Sequence, residues 1–147
     1  MDFEIRKMEM RDRDEVLCMM RVFYRSPALI TNGSEQIFER DFEACVGDER
    51  YADGFVFEAA SGEIIGYAMT ARGFSTEFGK PCVWIEDLYV KEPYRGQGTG
   101  SAFFDFIRER YPGCIFRLEA ERENTGAVRL YQKNGFCELP YLEMIKV

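Results

Sequence analysis

A glycine-rich turn is the first feature of this sequence with an evident chemical use. In Arg95-Gly96-Gln97-Gly98-Thr99-Gly100 three glycines alternate with other residues, and a helical segment follows. Without Cβ atoms the backbone can turn tightly and point several N–H groups outward, while the next helix adds its positive N-terminal end. Together these features favour a pyrophosphate cradle. The turn is neither a Walker P-loop nor a GxGxxG dinucleotide motif, and a ligand-free connection is its structural alternative.

Two adjacent acids, Glu86 and Asp87, precede the turn in the strand-like segment Cys82–Val90. Neighbouring side chains of a regular strand point to opposite faces, so only one of them faces a ligand unless a bulge re-aims them. An alkylamine has a pKa near 10.4 and is protonated at neutral pH, so a carboxylate placed here could accept its proton directly or through water. The alternative for each acid is a structural role, satisfied by backbone or arginine.

The composition excludes several classes of mechanism. Histidine is absent, which rules out an imidazole base. The five cysteines are widely spaced and form no CxxC pair, so we expect neither a metal site nor a disulfide framework, but reduced and mostly buried thiols. A nucleophilic cysteine is disfavoured because none has a base partner in the sequence.

Size and charge describe the setting in which this chemistry would occur. The 147 residues, 46% of them hydrophobic, are enough for a single domain over residues 1–147. The net charge of −7 without a basic patch argues against nucleic acid and would attract a cationic molecule. No apolar run is long enough to span a bilayer, and the N-terminus lacks the apolar core of a signal peptide. We therefore expect a cytoplasmic protein with no membrane partner.

The hydrophobic periodicity predicts the elements that position these residues. Their order is β-α-α-β-β-β-α-β-α-β-β, an α/β layered domain with antiparallel hairpins beside one parallel crossover. Ser34 is predicted to cap the second helix, whose buried stripe is Ile37, Phe38, Phe42 and Val46. The predicted segments are Phe3–Met10, Arg11–Tyr24, Ser34–Val46, Gly54–Ala60, Glu63–Arg72, Cys82–Val90, Ser101–Arg110, Cys114–Ala120, Asn124–Asn134, a strand near Phe136, and Tyr141–Val147.

Three motifs in order give the chain a family resemblance. Arg95-x-x-Gly98-x-Gly100 resembles the R/Q-x-x-G-x-G/A signature of the Gcn5-related N-acetyltransferase (GNAT) superfamily. Upstream, the segment from Trp84 to Val90 resembles the acid-bearing fourth strand of that family. Downstream, the segment from Asn124 to Phe136 resembles its N-x-x-A-x-x-L-Y-x-x-x-G-F element. The resemblance covers roughly residues 83 to 137, and the motif sequences are most similar to those of the diamine-acetyltransferase-like branch.

The resemblance implies a fold and a bound donor. The fold is a mixed, mostly antiparallel sheet of six to seven strands, with a splayed central parallel pair and about four flanking helices. The donor is acetyl-coenzyme A, and no metal is implied. The backbone of the fourth strand would pair with the pantetheine arm, which Asn124 would also contact, and the glycine turn would hold the pyrophosphate. The implied cofactor-binding residues are Leu88, Tyr89, Val90, Arg95, Gly96, Gln97, Gly98, Thr99, Gly100, Ser101 and Asn124.

The resemblance also implies two catalytic residues. Glu86 matches the acid that approaches the substrate amine, and Tyr131 matches the tyrosine that protonates the leaving thiolate. From periodicity alone, Tyr131 would be a core aromatic on the helical face of Ala127 and Leu130. Asn124 is in addition a plausible helix cap. An N–H group of the fourth strand would face the thioester carbonyl as an oxyanion donor.

The acceptor is the least determined part of the sequence-based interpretation. We expect a small, cationic primary amine that attacks the thioester directly, steered by a few of the acids between Glu35 and Asp53, most of which form a solvated helix face. Tyr24 and Trp84 are candidates for ring contact with the cation, and a core role is the favoured alternative for each. The alternatives are acetylation of a protein N-terminus or lysine, a catalytically silent acyl-coenzyme A-binding regulatory module, and a nucleotide-binding regulatory domain. A homodimer is compatible with the resemblance, because dimers are common in the family.

Overall fold

The computed structural model describes residues 1–48 and 50–147. Glu49, one of the acids considered above as steering groups, lies outside the described residues. The strands are β1 (Phe3–Lys7), β2 (Ala52–Ala59), β3 (Ile64–Ser75), β4 (Lys80–Val90) and β5 (Ile115–Leu118). The helices are α1 (Arg13–Phe23), α2 (Glu35–Val46), α3 (Thr99–Arg110) and α4 (Thr125–Lys133), with short 3-10 turns at Met10–Asp12 and Glu92–Tyr94.

The five strands form one mixed sheet in the order β1-β2-β3-β4-β5. The first four strands are antiparallel to their neighbours, and β5 is parallel to β4. The β4–β5 connection contains α3, as a parallel crossover requires. The predicted α/β class and the parallel pair are confirmed.

Two irregularities in β4 determine which of its side chains and backbone groups are available to a ligand. The register with β3 pairs Asp87 with Met69 and Ile85 with Thr70, so Glu86 is the extra residue of a β-bulge. On its other side, β4 pairs with β5 only from Cys82 to Ile85. Beyond Ile85 the two segments are no longer paired, which leaves residues 86–90 as a divergent half of β4 with no strand partner on that side. The bulge lies where this half begins.

Helices cover both faces of the sheet, and each face has its own core. On one face α1 and α2 pack Leu17, Met20 and Phe42 against the sheet, while on the other α3 packs Phe103 and Ile107. Strand alternation divides β2 between them, because Val56 belongs to the first core and its neighbours belong to the second. None of the helices in the described ranges is long and apolar enough to cross a bilayer.

Most local predictions hold, and their failures have physical reasons. Ser34 caps α2 by accepting from the Ile37 amide at 3.2 Å, as predicted, but Ile37 is 50% exposed and does not belong to the buried stripe. Helix α3 begins at Thr99, two residues before the prediction, because the last glycine of the turn is already helical. The expectation of mostly buried cysteines is wrong for Cys18 and Cys137, which are exposed.

The predicted strands near Phe136 and over Tyr141–Val147 are wrong. The described chain has five strands rather than six to seven, and residues 136–147 are irregular. Leu142, Met144 and Ile145 are at least 84% exposed. Apolar side chains are common in strands, but these bury nothing, so no hydrophobic gain offsets the cost of ordering the backbone.

Candidate active site

The glycine turn has the free donors that an anion site needs. Gly96 and Gly98 have φ of 73° and 85°, in the left-handed region that favours glycine. Gly98 is the N-cap of α3, and its carbonyl accepts from the amide of Ala102 at 2.9 Å. Within residues 1–48 and 50–147, none of the backbone N–H groups of residues 96–101 donates to a protein acceptor. Six amides are therefore open at the positive end of a 12-residue helix.

A buried hydroxyl in the same turn supports binding of a phosphate-bearing group. Thr99 is 3% exposed, and its Oγ1 has no hydrogen-bond partner among the described residues. An unsatisfied buried hydroxyl costs about 1–3 kcal/mol, so it is usually kept for a partner. Space is also available, since a Cβ at Gly96 or Gly98 would meet nothing within 4 Å. These residues fit the pyrophosphate of coenzyme A.

Helix α4 packs directly against the start of α3. A Cβ on Gly100 would lie 2.6 Å from Leu130 Cδ2, and Asn134 Nδ2 donates to Ser101 Oγ at 3.1 Å. The Asn124 side chain caps α4 by accepting from the Ala127 amide at 3.4 Å, as predicted. The close approach fixes the position of α4 relative to the glycine turn.

Tyr131, on α4, is held among aromatic rings. Its ring lies 6.0 Å from that of Phe104 and 6.2 Å from that of Phe136. It belongs to the same apolar cluster as Leu88 and Val90, which links it to the divergent half of β4. Burial raises the pKa of the Tyr131 hydroxyl, so it keeps its proton at neutral pH and can serve as a proton donor.

The divergent half of β4 has an open backbone edge. The Lys91 amide donates to Ile65 O on β3 at 2.9 Å, so the Val90 carbonyl in the same peptide points to the opposite side. There it accepts from Arg95 Nε at 2.8 Å, and the Arg95 guanidinium lies 5.6 Å from the Tyr89 ring centroid. By strand alternation the N–H groups of Leu88 and Val90 face this open side.

A cavity of about 690 Å³ opens beside the bulge. Its walls include the aromatic residues Tyr24, Tyr51 and Trp84, and no lysine or arginine is among its described lining residues. Six carboxylates line it: Asp41, Glu86, Asp87, Glu119, Glu121 and Glu143. Within the described residues, no group of three or more cysteines and acids is arranged to hold a metal ion. The cavity is therefore suited to an organic cation.

The two adjacent acids have different environments in this cavity. Asp87 is 3% exposed, and burial raises its pKa to about 6, although hydrogen bonds from Tyr67 and Tyr24 partly oppose the shift. Glu86, the bulged residue, is exposed to the cavity, yet the surrounding protein raises its pKa by desolvation and Glu143 adds to the shift. With a pKa of about 6, Asp87 is mostly ionised at neutral pH, and only Glu86 is accessible without displacing a protein group.

The other carboxylates lie close enough to interact. Burial raises the pKa of Asp41 to about 6, with Glu86 adding to the shift and Arg40 opposing it. Desolvation raises the pKa of Glu119 to about 7, and a hydrogen bond with Glu143 contributes. A cation entering the cavity would relieve this repulsion between like charges.

Comparison with known proteins identifies the family. The sequence pattern of the acetyltransferase (GNAT) family matches residues 17–136. The chain belongs to this family. Its β4, glycine turn and α4 are thus the acetyltransferase elements that the sequence motifs indicated.

Three similar proteins illustrate the range of the family. Thialysine N-epsilon-acetyltransferase of Sus scrofa is 37% identical over 83 residues, which cover 54% of this chain and 48%, about half, of that protein. An N-alpha-acetyltransferase of Sulfurisphaera tokodaii is 26% identical over 151 residues, covering 96% of this chain and 84% of that protein. AAC(6')-Iy in complex with the bisubstrate analog CoA-S-monomethyl-acetylneamine shares the fold, with a TM-score of 0.79, 18% identity, and coverage of 100% and 99%.

The cavity also contains acidic residues that the sequence did not indicate. Glu119 and Glu143 line the cavity, one after β5 and one in the irregular tail, and no motif marks either. Asp41 lies within the acidic stretch that was considered, but Asp53 does not reach the cavity. Asp53 is 2% exposed and bonded to Tyr111 and Arg72, so its role is structural.

Proposed function

We propose that this chain is an acetyl-coenzyme A-dependent N-acetyltransferase whose acceptor is the primary amine of a small cationic molecule. One observation carries the proposal: a cavity with six carboxylates and no lysine or arginine among its described lining residues opens where β4 and β5 diverge. The same divergence leaves the β4 backbone open, and the free amides of the glycine turn follow that strand. A cationic acceptor and an anionic donor would therefore meet at the bulge.

The proposed chemistry assigns each residue one task. The amides of residues 96–101 and Thr99 Oγ1 hold the pyrophosphate, and Arg95 braces the turn through Val90. The open backbone groups of Leu88 and Val90 pair with the pantetheine arm, whereas those of Tyr89, expected from the sequence to bind it, face β3. A β4 amide faces the thioester carbonyl as the oxyanion donor. When bound, acetyl-coenzyme A supplies the activated acetyl group.

Proton transfer is divided between two side chains. Glu86 accepts one proton of the incoming ammonium, directly or through one water, which frees the nitrogen lone pair for attack. Tyr131, which its raised pKa keeps protonated, donates its proton to the departing thiolate, and the nitrogen releases its second proton to water as the amide forms. The acetyl group passes directly to the amine, with no acyl-enzyme.

A protein N-terminus is the second candidate acceptor. The Sulfurisphaera tokodaii relative, whose match covers most of both chains, is an N-alpha-acetyltransferase. An α-amine has a pKa near 7.7–8.0, so it needs less help from a base and from an acidic pocket than an alkylamine does. The concentration of acids in the cavity favours the small cationic acceptor.

The test is an amine panel with acetyl-coenzyme A and a free-thiol readout. The panel contains diamines, lysine analogues, aminoglycosides and short peptides with free N-termini. We expect thiol release with small cations at least tenfold above the rate of hydrolysis without acceptor. Preference for the peptides would support the second candidate. Donor binding without turnover of any amine would support the silent regulatory module and contradict the enzyme proposal.

Two variants and a matched control connect turnover to the proposed residues. Glu86→Gln and Tyr131→Phe should each lower kcat by about 10²-fold or more, the scale of general acid–base catalysis, while leaving the donor Kd within threefold. Glu109→Gln changes an exposed carboxylate on α3 and should leave kcat unchanged. Equal rates for all three variants would exclude the assigned proton transfers.

A further inference from the structure

A pair of tyrosines holds the buried carboxylate of Asp87. Tyr24 Oη lies 2.9 Å from Asp87 Oδ1, and Tyr67 Oη lies 2.8 Å from Oδ2. A carboxylate has no proton to give, so both hydroxyls must be donors. Each tyrosine thus commits its only hydroxyl proton to Asp87.

The two tyrosines differ in what else they contact. Tyr67 is fully buried in the core between the sheet and α1. Tyr24 follows α1, is half-buried, and lines the acidic cavity beside Glu86. Its ring is fixed against Phe23 and Phe38, with centroid distances of 5.5 and 5.1 Å. The Tyr24 oxygen therefore has a defined position at the cavity wall.

The direction of the Tyr24–Asp87 hydrogen bond determines what the cavity can bind at this oxygen. With its proton committed, the Tyr24 oxygen offers only lone pairs to the cavity. A ligand must bring a donor, and an ammonium brings N–H groups. The described lining contains no lysine or arginine that could occupy this position. A carbonyl or ether oxygen placed there would face another acceptor without a proton between them.

We propose that Tyr24 is a specificity-determining residue that accepts a hydrogen bond from an N–H of the acceptor amine, and that Asp87 is the positioning residue that orients its hydroxyl. This inference rests on the proposed function and names a second contact to the reacting nitrogen. A primary ammonium has three N–H groups, so one proton can leave to Glu86 while another N–H stays on Tyr24. The remaining N–H contact then orients the nitrogen lone pair for attack.

The matched pair Tyr24→Phe and Tyr67→Phe tests this assignment. Each variant keeps its ring and removes one hydrogen bond to Asp87, but only the first removes an oxygen from the cavity. We expect Tyr24→Phe to lower kcat/KM for the best amine ten- to hundredfold, mainly through KM, and to leave the KM for acetyl-coenzyme A within twofold. Tyr67→Phe should stay within threefold of the unaltered protein in both constants, even if its melting temperature falls further.

The outcomes separate this inference from the proposed function. If the unaltered protein turns over amines and both variants lose the same activity, Tyr24 only supports Asp87 and the inference is overturned. Unchanged kinetics of Tyr24→Phe overturn it as well. If the unaltered protein turns over no amine, the proposed function fails first and the inference with it.

A measurement on the unaltered protein guards against a variant that does not fold. The trimethylammonium analogue of the best acceptor keeps the positive charge but has no N–H to give. We expect it to bind the protein loaded with coenzyme A, which has no acetyl group to transfer, at least tenfold more weakly than the primary amine, measured by calorimetry. Equal affinity of the two compounds would show that charge alone is recognised, and would overturn the role of Tyr24.

Discussion

Glu86 and Asp87 are neighbours in the chain, but the bulge in β4 gives them separate tasks. A regular strand would have placed them on opposite faces, whereas here both line one cavity. Asp87 is buried under two hydroxyls, which leaves it as an anchor, and Glu86 is open to the cavity. The one-residue bulge thus places the proposed base, Glu86, beside Asp87, which supports Tyr24 in the cavity wall.

Acidification should weaken acceptor binding and raise the stability of the ligand-free protein. Asp41 and Asp87 have pKa values raised to about 6, mainly by burial, so both lose their charge as the pH falls from 7 to 5. An alkylamine stays cationic over this range. Its Kd, measured by calorimetry on the protein loaded with coenzyme A, which cannot transfer an acetyl group, should therefore rise severalfold or more. In Asp41→Asn the rise should be shallower, and a Kd independent of pH would contradict the assignment.

The stability of the ligand-free protein should change in the opposite direction to acceptor affinity, and Asp41 and Asp87 again cause the change. Their folded-state pKa values lie above the unfolded values near 4, so the folded state binds their protons more tightly. Their ionisation destabilises the ligand-free fold above pH 6, and this cost is relieved progressively as the pH falls from about 6 toward the unfolded-state pKa near 4. We expect the contribution of these two groups to raise the melting temperature over that interval, and Asp41→Asn to reduce the effect.

At the scale of elements, an alanine substitution should be destabilising at Gly98 in the glycine turn and tolerated at Gly73 in β3. Gly98 has φ of 85°, where an alanine costs about 1–2 kcal/mol, so Gly98→Ala should lower the unfolding free energy by that amount and weaken donor binding at least tenfold. Gly73→Ala is the matched control, because a Cβ there meets nothing within 4 Å and its φ is not left-handed. Urea unfolding and donor calorimetry measure both effects. Similar donor affinities for the two variants would show that the backbone conformation of the turn is not required for donor binding.

The sequence predicted correctly the features that depend on a few consecutive residues. Its predictions were wrong or incomplete where a feature depends on a contact with a distant part of the chain. The caps at Ser34 and Asn124 and the turn at Gly98 depend on a few consecutive residues, and all three occur. The tail is rich in apolar residues, but β propensity acts only through a neighbouring strand, and the sequence of Tyr141–Val147 does not identify one. The cavity depends on non-local contacts too. Tyr24 reaches Asp87 across 63 residues, which no spacing rule anticipates.

At the scale of the whole molecule, the sheet separates two kinds of electrostatic site. The open amides of residues 96–101 follow β4 at the start of α3, and the six cavity carboxylates surround the bulge within the same strand. The net charge of −7 repels an anionic donor at long range, so the donor depends on short-range hydrogen bonds in the turn. The proposed cationic acceptor, by contrast, would be drawn in by the field of the whole protein.

Ionic strength should therefore affect the two substrates differently. Screening shortens the reach of the cavity charges from about 10 Å at 0.1 M salt to about 3 Å at 1 M. Between 0.05 and 0.5 M salt (about a threefold change in Debye length), we expect kcat/KM for a dicationic amine to fall several-fold and further than for a monocation of similar length. For acetyl-coenzyme A the value should stay level or rise, because salt also screens its repulsion. Steady-state kinetics with each substrate varied in turn measures this. A parallel fall for both amines would mean that a single carboxylate, rather than the acidic cavity as a whole, recognises the acceptor.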